Sequence, residues 1–231
     1  EIMLKDHDGM YQLAYKNDTG NGGTESIVYP NLLAGTYYVI VKIPDTLGTV
    51  YGSYNLSVHF LAVEEIDQEP NDSTSQVVPM PANGEKVGHI GYYGGQYQDL
   101  RDRYVITLPE DGKLELTVYP DGTCNLELGL YDSVLYKNLA FVNQKGKGES
   151  EKIVYSNLRA GTYHVYVGCT EGYGSYNLTS LFTADPYPNE EPDDSAAQAH
   201  SIILSQDEPA ITVNGRLGYY GNLVQDDNDF Y

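Results

Sequence analysis

The feature that most constrains this chain is the repetition of its own sequence. The motifs Ile-Val-Tyr, Asn-Leu and Ala-Gly-Thr-Tyr occupy positions 27–37 and return at 153–163, an offset of 126 residues. The motif Tyr-Gly-Ser-Tyr-Asn-Leu occupies 51–56 and returns at 173–178. Because matches at a nearly fixed spacing are the signature of tandem structural units, one unit spans roughly 120 residues.

A second set of matches links the middle of the chain to its end. Glu-Pro-Asn-Asp at 69–72 corresponds to Glu-Pro-Asp-Asp at 191–194, and Gly-Tyr-Tyr-Gly at 91–94 returns at 218–221. The two sets of matches together fix the register of the repeat along the whole chain.

This register divides the chain into three segments. We predict one complete repeat over residues 64–183, which we call the central segment. Residues 1–62, the first segment, match the later part of a repeat, and residues 186–231, the final segment, match its opening part. Two incomplete repeats favour a longer polypeptide that continues at both ends.

The central segment alternates apolar and polar residues with a period of two, which is typical of β-strands. Turn motifs such as Glu-Asp-Gly at 110–112 and Pro-Asp-Gly at 120–122 separate the strands. A helix of one or two turns is expected at 194–199. Short strands with one apolar face predict an all-β fold of tandem antiparallel β-sandwich, jelly-roll-like domains. The apolar strand positions are Tyr104, Ile106, Leu108, Leu114, Leu116, Val118, Leu126, Leu128, Leu130, Tyr163, Val165, Val167, Tyr176 and Leu178.

The chain is strongly acidic, with 33 acidic residues, 13 basic residues and a formal charge of −20. This charge repels nucleic acid and anionic lipid, so we predict no nucleic-acid partner. No apolar run approaches the roughly 20 residues of a membrane span, so we predict no membrane insertion. Bound divalent cations would relieve the repulsion between acidic groups, although solubility alone also explains an acidic surface.

The order of the motifs resembles the bacterial pre-peptidase C-terminal domain. The matching features are Glu-Pro-Asn-Asp at 69–72, an Asp-rich turn before a Tyr/Phe strand, Leu126 to Asp132, Ala-Gly-Thr-Tyr and Tyr-Gly-Ser-Tyr-Asn-Leu. The chain is also similar to the collagen-binding domains of clostridial collagenases, and the resemblance covers nearly all of its length. It implies an accessory β-sandwich found beside secreted peptidases and in surface proteins, often stabilised by calcium.

Acidic residues cluster around each Glu-Pro motif, and Ca²⁺ takes six to eight oxygen ligands. The resemblance implies that residues at these positions hold calcium and stiffen the linker that enters the domain, with weaker support for Asp67 and for Asn189. The alternative is that they only form turns, as Asp and Asn do without a metal. The predicted ligands are Asp67, Glu69, Asn71, Asp72, Asp99 and Asp102 in the central segment, and Asn189, Glu191, Asp193, Asp194, Asp226 and Asp229 in the final one.

The cysteines and some tyrosines leave two questions open. Cys124 and Cys169 are expected at the same end of a strand pair, where they either form a disulfide or remain separate buried thiols. Tyr92, Tyr93 and Tyr97 lie in a glycine-rich loop, where they either contact a ligand or close the end of the sandwich.

No Gly-x-Ser-x-Gly elbow, phosphate-binding loop or Cys-x-x-Cys pair occurs, so we predict that the chain is not an enzyme. The leading hypothesis is a calcium-stabilised structural or adhesive module, secreted or on a cell surface, whose partners are neighbouring repeats or copies of itself. The alternative is a substrate-targeting appendage of a secreted peptidase that binds a collagen-like protein or a polysaccharide.

Overall fold

A computed structural model of the protein describes residues 1–20, 22–44, 51–62, 67–94, 97–133, 137–187, 193–207, 210–221 and 224–231. These residues form sixteen β-strands and no α-helix. In this part of the chain, no helix is long and apolar enough to cross a membrane. The predicted all-β class is therefore confirmed.

The strands follow the three segments. The first segment contains β1 (Ile2–Lys5), β2 (Gln12–Lys16) and β3 (Tyr38–Val41), and the final segment contains β15 (Tyr220–Gly221) and β16 (Val224–Gln225). The central segment contains β4 (Val78–Met80), β5 (Asn83–Ile90), β6 (Tyr93–Gly94), β7 (Tyr97–Gln98), β8 (Arg101–Leu108), β9 (Gly112–Pro120), β10 (Asn125–Tyr131), β11 (Asn138–Val142), β12 (Glu151–Leu158), β13 (Gly161–Glu171) and β14 (Gly174–Ala184).

Two large sheets form a β-sandwich around one core. The five-stranded sheet has the order β11-β10-β13-β8-β4, and the six-stranded sheet has the order β16-β15-β12-β9-β14-β5. Pairing within them is antiparallel except between β4 and β8 and between β12 and β15. Strands β15 and β16 of the six-stranded sheet come from the final segment, so this sheet joins two segments.

The apolar residues of the period-two pattern form the core of the sandwich. All fourteen apolar positions named from the sequence are at most 2% exposed. Side chains from both sheets form one buried cluster, which Ile90 and Leu158 also join. Burial of a large apolar side chain contributes about 1.5–3 kcal/mol, so this cluster holds the two sheets together.

The first segment repeats part of this topology. Its three strands are ordered β2-β1-β3, and the equivalent strands of the central segment are ordered β11-β10-β13. The registers also match, because Ile2 lies opposite Val41 and Leu128 lies opposite Val167.

The structure departs from the sequence pattern in two places. Residues 194–199 form a turn instead of a helix, with the Gln198 amide donating to the Ser195 carbonyl at 2.8 Å. Residues 51–62, which match the start of β14 and its continuation, form no strand, and Tyr51 is 97% exposed. β14 pairs with β9 and β5, and the first segment contains no stretch that matches either of these neighbours.

The two cysteines lie at the same end of the β10–β13 pair, as expected. Leu126 stands opposite Cys169, and Cys124 lies two residues before Leu126. Both cysteines are free thiols, and the Cys169 thiol donates to the Gly172 carbonyl at 3.4 Å. Burial raises the pKa of the Cys124 thiol to about 12, which disfavours the reactive thiolate.

Candidate metal centre

The acidic loops of the central segment come together at the start of β8. The Arg103 amide donates to the Asn71 carbonyl at 3.1 Å, which ties the Glu-Pro loop to this strand. The His89 amide donates to Asp67 Oδ2 at 3.1 Å, which ties the same loop to β5. The Glu69–Pro70 peptide bond is cis. Three separate parts of the chain therefore surround one group of carboxylates.

Three of the predicted ligands form the centre of this group. Carboxylate oxygens of Asp67, Glu69 and Asp102 lie within 4.8 Å of one another. Asp102 is completely buried and Asp67 is 8% exposed, while Glu69 is a solvent-exposed residue. Two oxygens that bind one Ca²⁺ from opposite sides lie about 5 Å apart, because each Ca–O distance is about 2.3–2.6 Å. The spacing of the three carboxylates therefore fits a shared calcium ion.

Several oxygen atoms around this group are buried without a hydrogen-bond donor. They are Oδ1 of Asn71, both carboxylate oxygens of Asp99, and Oδ1 of Asp102. Asn71 and Asp102 are completely buried, and Asp99 is 4% exposed. A buried polar atom without a partner costs about 1–3 kcal/mol, and more when it is charged. These oxygens have the chemistry and the exposure expected of cation ligands.

One buried carboxylate is fixed from the opposite sheet. Tyr176 of β14 donates its hydroxyl hydrogen bond to Asp102 Oδ2. The Tyr176 hydroxyl lies 2.6 Å from the Tyr104 hydroxyl, and both rings belong to the core. Asp102 is therefore held by one oxygen, while its other oxygen remains available to a ligand.

The negatively charged side chains in this group repel one another. Partial desolvation of the Glu69 carboxyl, followed by the charges of Asp99 and Asp67, raises the pKa of Glu69 to about 7. Burial also raises the pKa of Asp99 and places the pKa of Asp102 well above its ordinary value. His89 faces the same group, with Nδ1 lying 3.9 Å from Oδ2 of both Asp67 and Asp99. Interaction with Asp99 raises the pKa of His89 despite its partial burial.

The donor set fits calcium better than a softer metal. The available atoms are carboxylate and amide oxygens, which are the hard ligands that Ca²⁺ prefers, and the nearby thiols are absent from the cluster. Asp72 is exposed, and its carbonyl accepts a hydrogen bond from Arg103 Nε at 3.3 Å. Asp67, Glu69 and Asp102 bring their carboxylates together, and Asn71 and Asp99 add buried oxygens without donors.

The final segment builds its loops with the same backbone bonds. The Phe230 amide donates to the Asp193 carbonyl at 3.0 Å, as Arg103 does to Asn71. The Gly218 amide donates to the Asp226 carbonyl, and the equivalent Gly91 amide donates to Asp99, both at 2.6 Å.

The acidic side chains of the final segment are buried to different extents. Asp193 and Asp226 are buried, Asp229 is partly buried and Asp194 is exposed. Burial and the charge of Asp193 raise the pKa of Asp229. Asn189 and Glu191 lie outside the described residues, so the second predicted site is described only in part.

The tyrosines of the glycine-rich loop are packed against protein. Tyr92 is 9% exposed, and its ring centroid lies 4.7 Å from His89 and 6.2 Å from Tyr173. Tyr93 is partly buried and bonds the first segment through its backbone. The backbone of Tyr97 pairs with Gly94, whereas its side chain lies outside the described residues.

Sequence reasoning did not identify Tyr104, Tyr176 or His89 as parts of the centre. Tyr176 had a usable signal, because it belongs to the Tyr-Gly-Ser-Tyr motif that repeats in the first segment. Tyr104 was predicted as a core residue of β8, and His89 has no metal-ligand spacing to another histidine in the sequence. Only the pairing of β5, β8 and β14 shows that all three meet the acidic loops.

No protein-family model and no curated protein matches this chain. Among solved structures, it is similar to the pre-peptidase C-terminal domain of a Bacillus anthracis collagenase, with 17% identity over 49% of this chain and 99% of that chain and a TM-score of 0.39. This is the family that the sequence motifs resemble. The chain is also similar to a periplasmic inhibitor of g-type lysozyme from Aeromonas hydrophila, with 14% identity over 46% of this chain and 97% of that one and a TM-score of 0.31. A carbohydrate-binding module of a Cellvibrio mixtus lichenase is 15% identical over 43% and 88% of the two chains, with a TM-score of 0.27.

Without calcium, the protein should become more stable as the pH is lowered from about 8 to about 5.5, because Glu69 and Asp99 bind protons more readily in the folded state than in the unfolded one. The raised pKa of His89 acts in the same direction, and the lowered pKa of the partly buried His164 opposes these three groups. Glu115, whose pKa is lowered to about 2 by Lys113 and Lys152, titrates below this range. The measurement is the melting temperature of calcium-free protein across the range. A melting temperature that falls as the pH is lowered would contradict the assignment of these charges.

Replacing Tyr176 with Phe should lower the free energy of unfolding by about 1–3 kcal/mol, because the buried Asp102 carboxylate loses its donor. Tyr119→Phe is the matched control, since Tyr119 lies on the neighbouring strand and is 49% exposed. Urea unfolding of both variants measures the difference. Equal effects of the two substitutions would show that the Tyr176–Asp102 bond contributes no specific stability.

Proposed function

We propose that this chain is a non-catalytic, calcium-binding β-sandwich repeat module that serves a structural or adhesive role, secreted or on a cell surface. One observation carries the proposal: the carboxylates of Asp67, Glu69 and Asp102 lie together, and buried oxygens of Asn71, Asp99 and Asp102 have no hydrogen-bond donor. A divalent cation supplies the positive charge that this arrangement requires.

Calcium would act in this module as a cross-link between loops. Asp67 and Glu69 belong to the loop that enters the sandwich, whereas Asp99 and Asp102 lie on the other side of β4 and β5 in the sequence. An ion held by both groups fixes the entering loop to the start of β8. Binding to the folded state alone raises its stability by an amount that grows with the calcium concentration.

The module is proposed to be one of several in series. The domain boundaries are those predicted from the repeats, with a complete unit at 64–183 between partial units at 1–62 and 186–231. The equivalent backbone bonds around Asp99 and Asp226 support a second calcium site in the next unit. A row of such units has a stiffened loop at each entry point, which suits an extended extracellular structure.

Calcium at about 100 times its Kd should raise the melting temperature by about 5–10 °C relative to calcium-free protein, because it stabilises only the folded state. Asp102→Asn should lose most of the shift that arises in the central segment while it keeps an acceptor for Tyr176. Asp207→Asn is the matched control, because Asp207 is exposed. Differential scanning calorimetry with and without chelator measures the effect.

Elemental analysis of dialysed protein complements this experiment. We expect at least one bound calcium per chain, and a lower content in the Asp102→Asn variant. A melting temperature that does not respond to calcium, together with no bound metal, would refute the calcium site.

A further inference from the structure

The Gly-Tyr-Tyr-Gly motif of the central segment bonds the first segment through its backbone. The Tyr93 amide donates to the Asn31 carbonyl at 2.8 Å, and the Leu33 amide donates to the Tyr93 carbonyl at 3.0 Å. Leu32 and Tyr93 form a parallel β-bridge. Tyr93 therefore occupies the position of an added strand beside residues 31–33.

The second Gly-Tyr-Tyr-Gly motif makes the same contact one repeat later. The Arg159 amide donates to the Tyr220 carbonyl at 2.9 Å, and Leu158 pairs with Tyr220 in parallel. Leu158 and Arg159 are the counterparts of Leu32 and Leu33, and Tyr220 is the counterpart of Tyr93. The two contacts are therefore equivalent, although they involve different copies of the repeat.

Repeated side chains complete each contact. Asn31 Nδ2 donates to the Gly91 carbonyl at 3.1 Å, and its counterpart Asn157 Nδ2 donates to the Gly218 carbonyl at 2.5 Å. The Tyr163 hydroxyl lies 2.9 Å from the Tyr220 carbonyl and 2.7 Å from the Arg159 carbonyl.

The tyrosine of the Ala-Gly-Thr-Tyr motif plays the same part in both contacts. The Tyr37 hydroxyl donates to the Leu33 carbonyl at 2.7 Å, as Tyr163 does to Arg159, its counterpart. In both copies, the Asn-Leu and Ala-Gly-Thr-Tyr motifs thus form the edge that contacts a Gly-Tyr-Tyr-Gly motif.

The second glycine of each motif permits this close approach. A Cβ atom at Gly94 would lie 3.1 Å from Leu33 Cδ1. A Cβ atom at Gly221 would lie 2.7 Å from Arg159 Cβ and 3.0 Å from the Tyr163 hydroxyl. A side chain at Gly221 would displace Arg159, and a branched side chain at Gly94 would displace the Leu33 side chain.

Buried side chains add to the contact between the final segment and the central one. Tyr220 is 3% exposed, its hydroxyl lies 3.3 Å from Asp132 Oδ2, and Lys137 Nζ lies 3.7 Å from its ring centroid. Arg216 Nη2 lies 3.0 Å from Asp111 Oδ2 in a largely buried ion pair. These bonds connect the final segment to the central one at Tyr220 within the motif and at Arg216 before it.

From these two equivalent contacts we propose that the Gly-Tyr-Tyr-Gly hairpin is a docking element that joins each repeat to the repeat before it. The partner is another copy of the same repeat in this chain. The docking surface is the edge formed by its Asn-Leu and Ala-Gly-Thr-Tyr motifs. Backbone pairing supplies the adhesion, and the Asn and Tyr side chains fix the register. This joint goes beyond the proposed calcium function, since none of its bonds involves the acidic side chains of the candidate metal centre.

Amide hydrogen exchange in the full chain, followed by NMR, tests the joint at two positions. Gly221→Val should speed exchange of the Arg159 amide about tenfold or more while the Leu33 amide keeps its wild-type rate. Gly94→Val should have the reverse effect. Gly52→Val is the matched control, because no atom lies within 4 Å of a Cβ at this position, and it should change neither rate.

A second pair of variants distinguishes loss of the joint from general disruption of the sandwich. Asn157→Ala removes the side-chain bond to Gly218 without adding bulk, and it should also speed exchange at Arg159. Asn143→Ala, which removes only an exposed bond to Glu127, should leave Arg159 unchanged. If exchange in β9 and β14 also accelerates in Gly221→Val, the Asn157→Ala result decides. An Arg159 amide that exchanges at the wild-type rate in Asn157→Ala, and in a Gly221→Val variant with an intact sandwich, would overturn the proposal.

Discussion

The burial of carboxylates at the start of β8 is the constraint on which the rest of this structure depends. Asp102 is completely enclosed, and Asp99 is nearly so. A buried charge is tolerated only when it is paired, hydrogen-bonded or bound to a metal. The Tyr176 hydroxyl satisfies one oxygen of Asp102, and His89 lies near Asp99 without a hydrogen bond to it. Burial raises the pKa values of Asp99 and Asp102, and the oxygens without donors lead to the proposed cation.

The acidic centre and the inter-repeat contact share one hairpin. The Asp99 amide donates to the Tyr92 carbonyl at 3.0 Å, and the Gly91 amide donates to the Asp99 carbonyl. Tyr92 lies on the side of the centre, against His89, whereas the next residue, Tyr93, pairs with the preceding segment. In the central segment this hairpin therefore has one tyrosine beside the acidic centre and one in the inter-repeat contact.

Much of the fold follows from local patterns in the sequence. Period-two alternation identified the core of β8, β9, β10, β13 and β14, because each strand buries one face. Residues 51–56 repeat the motif that begins β14 but form no strand, because a sequence motif cannot supply the neighbouring strands it pairs with. Composition and repeats were sufficient for the fold class, while the parallel pairings of β4 and β15 depend on contacts between distant residues.

The candidate centre was predictable to a similar extent. Repeated acidic residues pointed to Asp67, Glu69, Asn71, Asp99 and Asp102, and the structure brings these together. The sequence could not show that Asp72 faces solvent, nor that Tyr176 reaches Asp102 across the sandwich, since both depend on how the sheets pack. The Tyr92 ring packs against His89 and Tyr173, which favours closure of the sandwich end over contact with a ligand.

The most direct test of the calcium centre is anomalous X-ray diffraction from crystals of the full chain grown with calcium. The account predicts an anomalous peak with oxygens of Asp67, Glu69, Asp99 and Asp102 at about 2.3–2.6 Å, since this is the range of Ca–O distances in proteins. Well-ordered side chains at these positions with no anomalous peak between them would contradict it.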